Sequence, residues 1–183
     1  MPTVVVPFRG ETAKQRLAPA PEDVRTRIAE AMLDDVLEAA LAVGEVVVAG
    51  EPGGQGPAVE VALRGVEGPV LVVNADLPCA QPRDLLTLLG AMPEGGLALV
   101  RAADGTTNAL ALAAPHLFAP LYGPGSADRF LARAERLDAP AAIASIPNLE
   151  DDVDTLADLE RLDGLLGVNT AASLAALRAG SAR

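Results

Sequence analysis

Short apolar runs rich in valine and leucine alternate along this chain with longer segments whose apolar positions recur at helical spacing. The runs predict strands at 3–6, 45–49, 69–73, 97–101, 109–113 and 141–146. The longer segments predict helices at 22–42, 58–64, 82–91, 126–137, 154 or 155–166, and 170–178, with Ser126 as an N-cap. Alternating strands and helices are typical of βαβ units. The pattern therefore predicts a single three-layer α/β domain over residues 1–183, with a mostly parallel central sheet.

Composition narrows the range of partners. The 183 residues are 50% hydrophobic, with few aromatic side chains, and carry a net charge of −11. Such an acidic protein is unsuited to a nucleic-acid backbone or an anionic membrane as its main partner. To bind an anionic ligand, it needs a local cationic patch or metal ions that offset the repulsion.

Cysteine use and hydropathy bear on cofactors and location. Cys79 is the only cysteine, so neither an intrachain disulfide nor a cysteine-based zinc site is expected. Because there is no secretion-type leader and no apolar run of about 20 residues, we expect a cytoplasmic protein. Small, alanine-rich helix faces suit packing inside the domain or against a second subunit, so a homodimer is one expectation.

The first candidate site is a cationic segment after the first strand. Lys14 is the only lysine in the chain, and it lies between Arg9 and Arg16. A flexible ammonium near the carboxyl end of a strand suits phosphate binding in an open α/β sheet. The alternative is that these cations are solvated surface charges.

Carboxylates form the second candidate site. Asp76 directly follows the 69–73 strand, and Asp152 and Asp154 are two residues apart, so in an extended segment they face the same side. Oxygen ligands from two loops suit Mg²⁺ held beside substrate phosphates. The alternatives are a turn aspartate at position 76 and an acidic helix start at 152–154.

Polar and glycine residues suggest a third binding element. The turn from Gly123 to Ser126 precedes a helix and suits an anion held by backbone N–H groups, or an ordinary glycine turn. Thr107 and Asn108 offer a hydroxyl and an amide at the start of a strand, with an ordinary turn as the alternative. No ligand set surrounds His116, and no histidine pairs with Cys79, so neither is expected to be catalytic.

The ordered motifs resemble the CofC/FbiD family of guanylyltransferases in coenzyme F420 biosynthesis. The matching segments are Ala13-Lys14-Gln15-Arg16-Leu17, Ala75-Asp76-Leu77-Pro78, Thr107-Asn108-Ala109-Leu110, Tyr122-Gly123-Pro124-Gly125-Ser126, Asp152-Val153-Asp154-Thr155 and Leu166-Gly167-Val168-Asn169-Thr170. The resemblance covers nearly the whole chain. It implies a MobA-like, Rossmann-type nucleotidyltransferase fold.

The resemblance also implies an activity: transfer of GMP from GTP to the phosphate of phosphoenolpyruvate or 2-phospho-L-lactate, with release of pyrophosphate. The implied metal site is two Mg²⁺ ions on Asp76, Asp152 and Asp154, and the implied catalytic residues are Lys14 and Asp76. Contacts to the phosphorylated three-carbon acid are implied for Thr107, Gly123 and Ser126. Contacts to the nucleotide are implied for Pro7, Arg9, Lys14 and Arg16.

Three departures from the family pattern bear on substrate preference. Arg9 replaces a usual lysine, Phe130 a common histidine, and Gly54-Gln55-Gly56 a frequent Gly-Leu-Asn. Two alternatives therefore stay open. One is a related nucleotidyltransferase for another acceptor, such as molybdopterin or a sugar phosphate. The other is a non-catalytic nucleotide-binding module on the same fold.

Overall fold

The computed structural model describes residues 1–8, 17–18 and 20–181. The described residues contain a six-stranded sheet with the order β2-β1-β3-β5-β4-β6. Its strands are β1 (Thr3–Pro7), β2 (Glu45–Ala49), β3 (Val70–Val73), β4 (Leu97–Arg101), β5 (Thr107–Leu112) and β6 (Ala141–Ile143). The helices are α1 (Glu22–Leu41), α2 (Gln55–Ala62), α3 (Pro82–Ala91), α4 (Ser126–Arg136), α5 (Pro147–Glu150), α6 (Leu156–Arg161) and α7 (Val168–Ser181), and two 3-10 turns lie at Pro115–Leu117 and Asp163–Leu165.

The sheet is mostly parallel, as the sequence predicts, and β5 is the exception. This strand pairs antiparallel with both β3 and β4, whereas the other pairings are parallel. The reason is the short connection from β4 to β5, because a tight turn joins only antiparallel strands. Gly105 adopts a φ of 83° there, and Asp104 accepts hydrogen bonds from Thr106.

Helices cover both faces of the sheet and confirm the expected three-layer α/β architecture. On one face, α1 and α3 bury Val36, Ala40, Leu85 and Leu88 against the strands. On the opposite face, α2 and α4 form a second core that contains Phe130. Because both faces are covered, the central strands β3 and β5 are buried at every position; β3 is entirely apolar, and β5 is apolar after Thr107 and Asn108.

The C-terminal elements add a layer outside α1. Residues from α1, α6 and α7 form a separate apolar cluster that includes Ile28, Met32, Leu159 and Leu174. Cys79 belongs to this cluster and is 3% exposed, so it is a packed residue. Among the described residues, no helix combines the length and the apolar composition that crossing a bilayer requires.

The N-terminal ends of α2 and α4 and both ends of α7, expected at 170–178 and observed at Val168–Ser181, differ from the sequence-based expectation. The helix expected at 58–64 spans Gln55–Ala62. A proline in a first helical turn is tolerated, since its missing N–H has no partner there, and Pro57 therefore does not delay the helix. The N-cap of α4 is Gly125, in the left-handed region, and the expectation that Ser126 would be the cap was wrong.

The segment after α4 contains more and shorter elements than the sequence predicts. The strand expected at 141–146 ends at Ile143, because Pro147 begins the short helix α5. Thr155, rather than Asp154, is the N-cap of the next helix, in a reciprocal capping box with Asp158. That helix ends at Arg161 and continues only as a 3-10 turn at Asp163–Leu165.

Candidate active site

Three carboxylates converge at the carboxyl end of β3. Asp76 lies just beyond β3, and Asp152 and Asp154 lie in the coil between α5 and α6. The backbone N–H of Val153 donates to the carbonyl oxygen of Asp76 at 2.9 Å and so ties the two segments together. One oxygen from each of the three carboxylates lies within 4.8 Å of the others. The structure therefore brings together the three residues that the sequence singled out as metal ligands.

The three carboxylates lie close enough for their negative charges to repel one another. Burial, followed by the negative charges of Asp76 and Asp154, raises the pKa of Asp152 above its usual range. A divalent cation relieves this kind of repulsion, and hard cations prefer carboxylate oxygens. The carboxylate cluster of Asp76, Asp152 and Asp154 therefore fits a divalent metal ion.

Asn108 joins this cluster to the sheet. It is the second residue of β5 and is 2% exposed. Its side-chain nitrogen donates to the carbonyl oxygen of Glu150 at 3.0 Å and to Asp152 Oδ1 at 3.4 Å. The amide thus holds the loop that carries two of the three carboxylates against the start of β5.

A cleft opens beside the carboxylates at the ends of β1, β2 and β3. Its volume is about 180 Å³ and its walls are mainly apolar. The lining residues are Pro7, Phe8, Ala29, Met32, Ala49, Gln55, Ala58, Asn74, Ala75 and Asp76. Ligands of open α/β sheets bind at this edge, and a flat apolar wall next to charged oxygens matches the two parts of a nucleotide. Pro7, expected to border the base, lies on this wall.

A chain of side-chain amides runs along one rim of the cleft. Gln55 Nε2 donates to Asn74 Oδ1 at 2.6 Å, and Asn74 Nδ2 donates to the carbonyl oxygen of Thr107 at 3.2 Å. Asn74 follows β3 directly, and Gln55 is the first residue of α2. The hydrogen bonds connect three elements that approach the cleft from different parts of the sequence.

Thr107 and Ser126 lie together, and both are fully or almost fully buried. The backbone N–H of Thr107 donates to Ser126 Oγ at 2.9 Å, and the two hydroxyl oxygens are 3.2 Å apart. This pairing fastens the start of β5 to the first turn of α4. In this arrangement the Ser126 hydroxyl donates to Thr107 Oγ1, and the Thr107 hydroxyl still has its own proton to donate to another acceptor.

Arg129 stabilises the loop before α4 through hydrogen bonds to backbone carbonyl oxygens. Gly123 and Gly125 adopt φ values of 109° and 69°, in the left-handed region that favours glycine. The Arg129 guanidinium donates to the carbonyl oxygens of Leu121, Tyr122 and Pro124. A fixed positive charge therefore lies next to a glycine loop in a strongly acidic protein.

Comparison with known proteins identifies the family. No family model matches the chain. A phosphoenolpyruvate guanylyltransferase of Streptomyces scabiei is 34% identical over an alignment of 212 positions. The alignment covers 96% of this chain and 96% of the relative. A 2-phospho-L-lactate guanylyltransferase of Natrialba magadii is 32% identical and covers 85% and 80% of the two chains. This chain belongs to the CofC family of guanylyltransferases. It is therefore a nucleotidyltransferase enzyme.

Solved structures agree on the fold of this CofC family member. The 2-C-methyl-D-erythritol 4-phosphate cytidylyltransferase of Thermus thermophilus matches with a TM-score of 0.59 at 18% identity, over 88% of this chain and 96% of that one. A Mycobacterium tuberculosis protein solved with manganese matches with a TM-score of 0.52 at 22% identity, over 87% and 96%. These likenesses establish the nucleotidyltransferase fold.

Five further residues named in the sequence analysis are Arg9, Lys14, Arg16, His116 and Phe130. Arg9, Lys14 and Arg16 lie outside the described residues. His116 is exposed in a 3-10 turn, consistent with the expectation that it is not catalytic. Phe130, where a histidine is common in the CofC family, is fully buried against Phe118 and Tyr122. This position therefore supports the loop through packing.

The sequence did not predict that three amides adjoin the cleft and the carboxylate cluster: Gln55, Asn74 and Asn108. Asn74 carried a usable signal, because it follows a buried strand two residues before Asp76. Asn108 was expected to offer an amide at the start of a strand, or to lie in a turn, without any link to the carboxylates. Gln55 stands in a glycine- and proline-rich segment that is typical of a loop, which concealed its place at the start of a helix.

Proposed function

We propose that this protein transfers GMP from GTP to the phosphate of a three-carbon acid and releases pyrophosphate, as a step of coenzyme F420 biosynthesis. Phosphoenolpyruvate is the proposed acceptor, with 2-phospho-L-lactate as the alternative. The observation that carries the proposal is the carboxylate cluster beside an apolar cleft in a member of this family. Two anionic substrates meet in such a reaction, and the cluster is suited to reducing their repulsion.

Asp76, Asp152 and Asp154 are the proposed ligands of Mg²⁺. Mg²⁺ on such oxygens neutralises charge on phosphates and orients them for in-line attack. The raised pKa of Asp152 supports this assignment, because carboxylates that repel one another gain most from a shared cation. Asn108 holds the loop that carries Asp152 through its hydrogen bond to the carbonyl oxygen of Glu150.

The cleft is the proposed site of the nucleoside. Its apolar wall, which includes Pro7 and Met32, offers a face for a base, and Asp76 at its end adjoins the expected position of the phosphates. Lys14 is proposed as a catalytic residue that holds the triphosphate together with Arg16 and Arg9. Cations there would lower the charge on the nucleotide while the leaving pyrophosphate forms.

Thr107, Gly123 and Ser126 are the proposed contacts to the acid. The Arg129 guanidinium supports this assignment, since its Nη2 would lie 3.6 Å from a Cβ placed at Gly123 and adds positive charge beneath the loop. A phosphate monoester is already ionised at neutral pH and needs no general base. The exposed position of His116, the only histidine of the chain, is consistent with this.

We further propose that residues 1–183 act as one nucleotidyltransferase domain. All described strands belong to one sheet, and the cleft, the carboxylates and the glycine loop lie along its edge. Positioning of two substrates and neutralisation of their charge are the main contributions that a protein makes to this reaction.

The test is pyrophosphate release from GTP and Mg²⁺ with phosphoenolpyruvate, 2-phospho-L-lactate or 3-phosphoglycerate supplied separately. We expect release with phosphoenolpyruvate and none with 3-phosphoglycerate. Asp76→Asn serves as the inactive control, and Asp128→Asn, at an exposed surface ion pair with Arg101, serves as the active one. If the folded protein releases no pyrophosphate with any of the three acids, the proposed acceptor class is contradicted.

A further inference from the structure

Gln55 lies at the rim of the cleft, and within the described part of the chain only one of the two polar atoms of its side-chain amide forms a hydrogen bond. It is the first residue of α2 and is half-buried. Its Nε2 donates to Asn74, whereas its Oε1 has no hydrogen-bond partner within the described part of the chain. An oriented acceptor at the edge of an apolar slot is the usual means of reading a planar, hydrogen-bonding ligand.

The orientation of this amide follows from the hydrogen-bond chain. The carbonyl oxygen of Thr107 can only accept, so the Asn74 atom that bonds to it must be the nitrogen. Asn74 Oδ1 therefore faces Gln55 and needs a donor, which makes the Gln55 atom at 2.6 Å its nitrogen. The oxygen of Gln55 is thereby left on the other side of the amide. The backbone of β5 thus determines which atom of Gln55 is available to a ligand.

The neighbouring position has no space for such a side chain. A Cβ at Gly56 would lie 2.7 Å from the Pro120 Cβ and 2.8 Å from its Cα, closer than real contacts allow. In this chain the side-chain amide at the rim therefore comes from position 55, and position 56 contributes only a glycine.

We propose that Gln55 Oε1 reads the base of the nucleotide and selects guanine over adenine. This rests on the proposed function, in which the cleft binds the nucleoside. Guanine carries N1–H and a 2-amino group as donors on its Watson–Crick edge, so it can donate to this oxygen. Adenine presents an unprotonated N1 at the equivalent place, and its lone pair would face the lone pairs of Oε1.

The experiment compares binding of GTP and ATP by calorimetry in the presence of Mg²⁺. In Gln55→Met, which keeps the length of the side chain and removes the acceptor, we expect the ratio of GTP to ATP affinity to fall about tenfold. Glu60→Met introduces the same residue on the exposed side of the same helix, away from the cleft, and should retain the ratio.

A second variant separates reading of the base from support of Asn74. Gln55→Glu keeps an acceptor at the same position and loses the donor to Asn74, and its added charge acts equally on both triphosphates. We expect its ratio of GTP to ATP affinity to stay near that of the parent protein. A ratio that collapses in Gln55→Glu as well would overturn the proposal, because support of Asn74 would then explain the effect.

The failure of this proposal is distinguishable from that of the proposed function. If Gln55→Met binds both nucleotides with the parent's preference, base reading by Gln55 is wrong and the guanylyltransferase assignment stands. If the parent protein binds neither GTP nor ATP, both proposals are overturned. Mn²⁺ affinity, measured in parallel, should be unchanged in Gln55→Met and shows that the variant is folded at the cluster.

Discussion

Asn108 Nδ2 lies 3.4 Å from Asp152 Oδ1 and 3.0 Å from the carbonyl oxygen of Glu150. The carbonyl fixes the orientation of the amide, so its donor side faces the carboxylate cluster. One oxygen of Asp152 is thereby held by the protein. A buried residue on a central strand thus orients a carboxylate that is 44 residues away in the chain.

Removal of this amide should weaken metal binding. Residues that orient metal ligands typically contribute about 10–100-fold to affinity. We expect Asn108→Ala to lower Mn²⁺ affinity by at least about tenfold, measured by electron paramagnetic resonance of free Mn²⁺. Asn148→Ala is the matched control, because that amide donates to Asp84, away from the cluster. Equal affinities in Asn108→Ala and the parent protein would contradict the role of Asn108.

Loss of a proposed ligand should be more severe. In Asp76→Asn, we expect turnover to fall by on the order of 10² or more, since a direct ligand contributes at least as much as a residue that orients one. The circular dichroism spectrum and the melting temperature should stay close to those of the parent protein. Turnover of a purified Asp76→Asn variant at the parent's rate would rule out this carboxylate as a ligand.

The carboxylate cluster should also cost stability when no metal is present. Because the pKa of Asp152 is raised in the folded protein, the folded state binds more protons than the unfolded state between the ordinary and the raised value. Stability therefore falls as the pH rises through this range. Asp152→Asn removes the charge and should melt at a higher temperature than the parent protein at neutral pH in a chelator.

Two conditions check the origin of that effect. Below the ordinary pKa of aspartate both proteins are uncharged at position 152, so the difference in melting temperature should vanish. Addition of Mn²⁺ should stabilise the parent protein more than Asp152→Asn, because only the parent retains all three carboxylates. A lower melting temperature for Asp152→Asn in chelator at neutral pH would contradict the inferred repulsion.

Asp35 caps α7 from a distant helix. Its carboxylate accepts from the backbone N–H groups of Asn169 and Thr170 and from Asn169 Nδ2, each at 2.9 Å. Gly167 must lack a side chain there, because a Cβ would lie 2.3 Å from Asp35 Cγ. We expect Asp35→Ala to reduce the free energy of unfolding by about 2 kcal/mol in chemical denaturation.

The steric part of this relationship has its own test. Gly167→Ala should destabilise the parent protein, yet cost much less in the Asp35→Ala background, where the clash is gone. Gly164→Ala is the control, since a Cβ there meets no described atom within 4 Å. Additive effects of Asp35→Ala and Gly167→Ala would show that the two residues do not compete for space.

Cys79 should resist modification in the folded protein. Burial, with a smaller effect of the Asp151 charge, raises the pKa of its thiol to about 11. A rise of about two units lowers the thiolate fraction at neutral pH roughly 100-fold. We expect iodoacetamide to label Cys79 slowly in buffer, faster with each increase in pH, and rapidly in denaturant. Rapid labelling of the folded protein at neutral pH would show that this site opens.

Local pattern was sufficient for most of the fold. Valine-rich runs placed β1, β2 and β3 within a residue or two, because strand and helix preferences depend on near neighbours. Asp76 and the Asp152–Asp154 pair were recognisable for the same reason. A carboxylate just after a buried strand, and two at a spacing of two residues, place their oxygens predictably relative to the backbone.

Contacts between distant segments could not be predicted from the sequence. Nothing near Ser126 indicates that its hydroxyl accepts from Thr107 instead of capping α4, whose N-cap is Gly125. The same holds for Asp35, whose partners lie 134 and 135 residues away. Such pairings depend on how whole elements pack, and a short polar side chain has no local signature for its partner.

The sequence by itself therefore determined the order of the elements, the layers they form and the candidate metal ligands. Only the tertiary structure decided that Gln55, Asn74 and Thr107 form one hydrogen-bond chain at the rim of the cleft. The physical reason is that an amide has no preferred orientation until its partners are in place. Here a backbone carbonyl of β5 provides the fixed end from which the orientation of both amides follows.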